Sequence, residues 1–280
     1  MKSTTILVFL LFTTLTSCQS KNKLAEKNYE LIADDDGILV EKFDDSTVVD
    51  ENRYNHNNIV YKVGNSFKYK FEHITANNEK KFFKIIADNS GWEFVSKEDE
   101  NQSTIKSVIM EVADGNPLAK YIPDYNQTAL IYRLIEGSYS TTGAIENEGN
   151  TWIHPPREKY FEILELNPFP YIKAPYEIGN KWSWNLKIGD NWADGRWKLW
   201  QGQIENEYEY EITDKQTLKT DIGEIECFVI ESNAKSRIGE TKLTAYFNSE
   251  YGFVKLDYTN IDGSKTNLEL TEYTQKKNGR

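Results

Sequence analysis

The residue types able to do chemistry are concentrated in residues 176–202, YEIGNKWSWNLKIGDNWADGRWKLWQG. This stretch holds five of the seven tryptophans, with Asp190, Asp194 and Arg196 among them. Exposed indoles beside carboxylates and a guanidinium can stack on sugar rings or grip a protein partner. The plainer alternative is that a wide sheet needs bulky side chains to fill it. Spacing separates the five. Trp182 and Trp184 alternate with Lys181, Ser183 and Asn185 and lead into Leu186 and Ile188, so they belong to the core face of a strand. Trp192 falls in the loop GDNWADG. Trp197 and Trp200 take opposite faces of the next strand if it is regular, which leaves at least one of these three off the core. The candidate binding residues are therefore Trp192, Trp197, Trp200, Asp190, Asp194 and Arg196.

A second candidate is the run Trp152-Ile153-His154-Pro155-Pro156-Arg157. The two prolines restrict the backbone, so His154 and Arg157 are held. A held His–Arg pair can bind a carboxylate or phosphate, the arginine through its fork. Alternatively, both side chains hydrogen-bond loop carbonyls in a rigid joint.

Other chemistries find no footing. His56, His73 and His154 are scattered, and the chain has no HExxH, no G-x-S-x-G and no phosphate-cradling glycine loop. The string D-N-W-A-D-G fails as a calcium loop, because Trp192 and Gln201 stand where the third and twelfth ligands belong. No metal or cofactor is expected. With 44 acidic residues a carboxylate pair for glycoside hydrolysis always exists, but nothing singles one out.

Residues 1–17 do not belong to the fold. Lys2 precedes an apolar run over residues 5–15, near the ~7–15 residues of a signal core and too short to cross a bilayer. Leu15-Thr16-Ser17-Cys18 closes it and resembles the lipobox of a bacterial lipoprotein. The resemblance implies cleavage before Cys18, lipidation of Cys18 and attachment to a cell-envelope membrane, with the outer membrane as the expected location. Together with the polar, Asn- and Lys-rich segment that follows, it looks like envelope proteins of Bacteroidota. Loss of 17 residues and one lysine leaves 263 residues with 32 basic against 44 acidic side chains, a net of −12. That balance argues against nucleic acid as a partner. It also argues against electrostatic docking on anionic lipid, so the N-terminal acyl chains must supply the membrane contact. Cys227 is the one other cysteine, which leaves no intrachain disulfide and no Cys-based zinc site. It is expected to face a core.

The positioning elements are strands. Residues 18–58 read as the lipidated N-terminus and a flexible tether, in which Ile38-Leu39-Val40 offers an edge strand or a docking patch. Residues 59–150 form a first β unit, with Phe67, Tyr69 and Phe71 alternating with polar residues and further strands over 80–87, 92–96 and 103–112. Residues 125–136 carry helix spacing at Leu130 and Leu134 but strand-type composition, so both types stay open. Residues 151–175 are a Pro-rich joint with five of the seven prolines, allowing a short helix over 157–166 that stops before Pro168. Residues 176–274 form a second β unit, and 275–280 a tail. In it Ile204, Asn206, Tyr208, Tyr210 and Ile212 alternate with Glu205, Glu207, Glu209 and Glu211, a solvated glutamate face. Asp262-Gly263 marks a hairpin. Gly64-Asn65 precedes Phe67 by the offset at which Gly179-Asn180 precedes Trp182, which suggests two related units or turn chemistry alone. The expected fold class is mainly β: a large curled antiparallel sheet of the open half-barrel type with one or two short helices.

The segments TDIGEIECFVIES, LTAYFNSEYGFVKLDY and LELTEY, preceded by Gly179-Asn180-x-Trp182, resemble the β-meander of the DUF3108-like periplasmic proteins over residues 176–273. That resemblance implies an open, curled sheet similar to LolA-like half-barrels, whose concave apolar face covers a lipid or a partner. The block WIHPPREKYFEILELNPFPYIK has no counterpart in the pattern. The function expected is that of a non-enzymatic, lipid-anchored envelope protein binding an apolar ligand or a protein partner in its curled sheet. The alternative is a carbohydrate-binding accessory lipoprotein using Trp192, Trp197 or Trp200, and a hydrolase comes third.

Overall fold

The computed structural model describes residues 29–276 except 35, 45–49, 87–90, 117, 119–121, 123, 124 and 136. The expected leader and Cys18 lie outside the described residues.

Period-two alternation produces strands along the whole chain. A hairpin of β1 (Tyr29–Ala33) and β2 (Leu39–Phe43) comes first, within the segment expected to be a tether. Then come β3 (Ser66–Ile74), β4 (Lys80–Ile85), β5 (Trp92–Val95), β6 (Thr104–Ile105), β7 (Ser107–Val112), β8 (Thr128–Ile135) and β9 (Ser138–Glu146). β10 (Asn150–Ile153) and β11 (Tyr171–Lys173) flank a 3-10 helix, Lys159–Leu166. The long meander is β12 (Lys181–Ile188), β13 (Ile204–Thr220), β14 (Gly223–Ser236), β15 (Gly239–Asn248), β16 (Gly252–Thr259) and β17 (Lys265–Thr274).

Fifteen of these strands share one antiparallel sheet, in the order β11-β10-β9-β8-β7-β3-β17-β16-β15-β14-β13-β12, with β4, β5 and β6 branching from β3. The sheet curls until its two end strands, β11 and β12, face each other across one unsealed seam. There Asn180 Nδ2 donates to the Lys173 carbonyl at 2.8 Å, and the Tyr171 and Trp182 rings lie 5.6 Å apart. The mainly β expectation holds, and the curl goes further than a half-barrel. Residues 59–150 and 176–274 are continuous through the β3–β17 ladder.

The segment 125–136, open between two structures, carries strand β8 over Thr128–Ile135. Leu130 and Tyr132 point inward at period two, and β7 and β9 supply its ladder on both sides. On β13, Ile204, Asn206, Tyr208, Tyr210 and Ile212 are buried while the four glutamates face outward. Cys227 is buried on β14, and burial pushes its thiol up to about 12, which keeps it un-ionised and inert.

The Gly-Asn echo is a shared turn. Gly64 and Gly179 both adopt positive φ, +87° and +92°. Gly64 N donates to Val112 O while Val112 N returns to Asn65 O; Gly179 N donates to Ile212 O while Ile212 N returns to Asn180 O. The asparagine side chains close the turns in the same way, Asn65 Nδ2 on Val60 O and Asn180 Nδ2 on Pro175 O, each at 2.9 Å.

The joint at 151–175 enters the barrel and fills it. In the 3-10 helix, Tyr160, Phe161, Ile163, Leu164, Glu165 and Leu166 are all buried. The helix starts at Lys159, two residues later than expected, and ends at Asn167, whose extended backbone is what a following proline requires. Its last carbonyl is capped by strand side chains: Leu166 O accepts Asn206 Nδ2 at 3.2 Å and Thr241 Oγ1 at 2.8 Å. Its first turn is held by a buried network in which His73 Nδ1 meets Tyr160 Oη at 2.7 Å and Tyr160 Oη meets Thr266 Oγ1 at 2.7 Å. The concave face expected to receive a ligand is thus occupied by the chain itself.

His73 makes this network pH-sensitive. Burial, against the weaker pull of Asp262, pushes its pKa down to about 4. Between the unfolded value of ~6.5 and that folded value, the unfolded chain binds the proton and the folded one does not, so stability falls as pH falls. We predict a loss of about 2 kcal/mol between pH 7 and pH 5. Urea titration at the two pH values checks this. In His73→Phe the pH-dependent part should largely disappear.

Candidate functional site

The tryptophan loop turns out to be mostly scaffold. No regular strand covers residues 197–200; Asp190–Trp192 is a single 3-10 turn, and Asp194 bridges back to Lys198. Both Trp197 and Trp200 are buried, at 8 % exposure each. Trp197 stacks on Trp92 of β5 with rings 8° from parallel and 6.3 Å apart. Arg196 lies over the Trp92 ring at 3.9 Å, and Asp194 grips it through both carboxylate oxygens. That hydrogen-bonded guanidinium holds the Asp194 carboxyl below the usual carboxylate range. Asp190 Oδ2 accepts Gly202 N at 2.8 Å and closes the loop. The expectation that Trp197 and Trp200 straddle a strand is therefore corrected. Short-range turns, with Asp and Gly at their corners, break the period before a ladder can form.

Trp192 behaves differently. It is half-buried and packs against the core, and it meets His154 and Arg157 around a cavity of about 270 Å³ beside β12. The two candidates that were separate in the sequence converge here. Aromatic walls come from Trp152 on β10, Phe169 after the 3-10 helix and Trp184 on β12, whose rings lie 5.7 to 6.2 Å from one another. Ile38 and the turn residues Asp34 and Asp36 of the β1–β2 hairpin close another side. The hairpin is held there by Asn150, whose Oδ1 accepts Leu39 N at 2.9 Å and whose Nδ2 donates to Leu39 O at 3.1 Å. Larger depressions of about 470 and 570 Å³ lie on the outer face of β12–β15, lined by the glutamate row and lysines in solvent.

At the bottom of the cavity sits a polar pair. His154 Nδ1 lies 2.7 Å from Pro155 O, a carbonyl that can only accept, so Nδ1 carries the hydrogen. Nε2 faces Glu165 Oε1 at 3.4 Å, with side-chain exposures of 15 % and 6 %. Glu165 Oε1 has no hydrogen-bond partner, and neither does the buried indole Nε1 of Trp152. Arg157 donates to Thr141 O at 3.1 Å from the exposed rim. Of the residues lining this cavity, the sequence had singled out His154, Arg157 and Trp192 but not Glu165, Trp152 or the hairpin turn. The one available signal was that residues 152–173 stood outside every strand pattern.

Among the described residues no three His, Cys, Asp or Glu side chains converge as a metal shell, and no helix is long and apolar enough to cross a membrane.

No family model matches the chain. A curated relative, the RTX-III toxin determinant A from serotype 8 of Actinobacillus pleuropneumoniae, is 32 % identical over 113 residues, taking in 34 % of this chain and 10 % of that protein. The chain thus spans about a tenth of the length of the curated relative it matches. Similar solved structures include a candidate exported protein of YmcC-like fold from Bacteroides fragilis, with TM-score 0.42 and 10 % identity over 79 % of this chain and 99 % of that one. A candidate lipoprotein from Parabacteroides distasonis scores 0.43 with 11 % identity, covering 77 % and 97 % of the two chains. The hypothetical lipoprotein YmcC of Escherichia coli scores 0.35 with 9 % identity, covering 74 % and 87 %.

Proposed function

We propose that this chain is a non-enzymatic binding protein of the bacterial envelope, tethered to the outer membrane through acyl chains on Cys18, that holds one small ligand in the cavity beside the barrel seam. One observation carries the binding reading. Trp152, Phe169, Trp184 and Trp192 enclose a cavity of about 270 Å³ together with Arg157 and the His154–Glu165 pair. A concave, mostly aromatic space with a few polar groups at its edge has the make-up of a small-molecule site. The apolar part of the ligand rests on Trp152, Phe169 and Trp184. Any kinship with DUF3108-like or LolA-like sheets bears on the shape of the barrel wall. With the interior filled, the seam supports the reading better than the concave face does.

Purification of the anchored protein in mild detergent followed by native mass spectrometry tests the binding reading. A stoichiometric small ligand lost on Trp152→Phe supports it, and a ligand-free mass with an unperturbed variant counts against it. The anchor is separable. Cys18→Ala is expected to lose the acyl mass and move the protein from the membrane to the soluble fraction. An unchanged membrane fraction would sink the anchor.

A further inference from the structure

On the reading that the seam cavity is a ligand site, we infer that its ligand is an extended peptide, which pairs with the free edge of β12 and seats one large apolar side chain in the cavity. β11 and β12 run antiparallel across the seam, with Lys173 beside Asn180 and Tyr171 beside Trp182. β11 begins only at Tyr171. Pro168 and Pro170 before it have no N–H to give a ladder, and the preceding chain is the 3-10 helix inside the barrel. Opposite residues 183–188 the wall is therefore open. The cavity of about 270 Å³ lies along that length, and a second depression of about 710 Å³ runs over residues 183–187 to the hairpin turn.

The edge of β12 is directed at this opening. Ile212 N donates to Asn180 O at 3.0 Å, and β12 pairs with β13 in unbroken register from Lys181↔Glu211 to Ile188↔Ile204. Antiparallel partners alternate between hydrogen-bonded and non-hydrogen-bonded pairs. Trp182, Trp184, Leu186 and Ile188 thus commit their backbone groups to β13, while Ser183, Asn185 and Lys187 turn theirs to the seam. No strand among the described residues pairs with β12 on that side. Edges are commonly blunted by shortness, proline, bulges or inward charge. β12 is eight residues long and has none of these.

A strand entering in line with β11 runs antiparallel to β12. Cross-strand partners share a face. The residue opposite Leu186 therefore points into the cavity, towards Trp184, Phe169 and Trp192. Room for roughly nine waters at ~30 Å³ each admits one Phe- or Leu-sized side chain. The residues opposite Asn185 and Lys187 point out, with their N–H and C=O groups towards β12. Charge selects one of them. Lys187 and Arg157 border the cavity and have no ion pair among the described residues, whereas Asp34 is engaged by the amides of Asp36 and Ile38. The peptide residue opposite Lys187, which precedes the apolar one, is therefore acidic.

The probe is acetyl-Ser-Glu-Phe-Thr-Ser-amide, titrated calorimetrically into the full mature chain, with 4-methylphenol and octanoate as non-peptide probes. The peptide should bind, and replacing its Phe by Ala should weaken it by about tenfold or more. N-methylation of its Glu and Thr removes the two N–H donors facing β12 and keeps every side chain. It should also weaken binding by about tenfold or more. Asn185→Pro removes a seam-facing N–H from the protein and spares the β13 ladder, so it should act in the same direction. Circular dichroism establishes that this variant folds; if it does not, the N-methylated peptide still decides. Binding indifferent to N-methylation, or to loss of the Phe ring, overturns the inference. If the peptide fails to bind while 4-methylphenol, octanoate or a co-purified small molecule occupies the cavity, the peptide assignment falls and the cavity remains a site. If no probe binds and the purified protein carries no ligand, the assignment and the binding reading fall together.

Discussion

Glu146→Ala is expected to lower stability by about 3–5 kcal/mol, because three buried or half-buried backbone amides lose their acceptor together. Glu146 ends β9 at 8 % exposure. Its Oε1 accepts Ile59 N and Val60 N, both at 2.9 Å, and its Oε2 accepts Tyr61 N at 2.8 Å. Residues 59–61 have no strand partner, so this carboxylate replaces the ladder that would otherwise satisfy them. What it holds matters for the barrel. Tyr61 is fully buried, and its hydroxyl packs so closely on Gly252 that a Cβ there would stand 2.5 Å away. Gly252 opens β16 with φ +71°. Burial outweighs the three amides and raises the Glu146 carboxyl above its usual range, so the charged form is held at a cost. Glu146→Gln keeps an uncharged acceptor and should lose roughly half as much. Urea denaturation resolves the two, as a shifted midpoint at constant slope. Equal losses for Ala and Gln would show that the charge, not the acceptor, holds this segment.

Phe161→Ala is expected to cost a similar amount, about 3–5 kcal/mol, and to lower the melting temperature by about 10 °C. Phe161 is fully buried inside the barrel, 5.1 Å from Phe71 and 5.7 Å from Phe83 by ring centroid. The surrounding wall is a hydrogen-bonded sheet that cannot collapse onto the vacated space, which is the condition for a large cavity penalty. Glu165 stands on the same 3-10 helix. On the proposed binding reading, loosening that helix should weaken ligand binding as well as stability. A calorimetric melt checks the first effect. A melting temperature within a degree or two of the parent would mean that the helix is not what fills the barrel.

Much of the wall was legible in advance because strand alternation is a local property. The inward row from Ile204 to Ile212 and the burial of Cys227 follow from which residues lie two apart. The Gly-Asn echo was legible for the same reason, since the turn needs one residue at positive φ and one short side-chain amide. Residues 125–136 were ambiguous because their apolar spacing fits both periods; β7 and β9 settled the matter by offering ladders on either side. The tether segment hid a hairpin because β1 and β2 pair only with each other, and their docking rests on Asn147 and Asn150, more than a hundred residues away.

The sequence by itself determined a mainly β chain, its turn positions, an inert buried cysteine and a leader pattern ending at Cys18. It also marked His154, Arg157 and Trp192 as unusual. Tertiary structure alone decided that Trp197 and Trp200 are buried, that the Pro-rich joint fills the barrel, and that His154 faces Glu165 beside Trp152 and Trp192. The physical reason is range. Periodicity and turn chemistry act over a few residues, whereas a cavity is the space left between elements far apart in the chain and exists only once those elements have met.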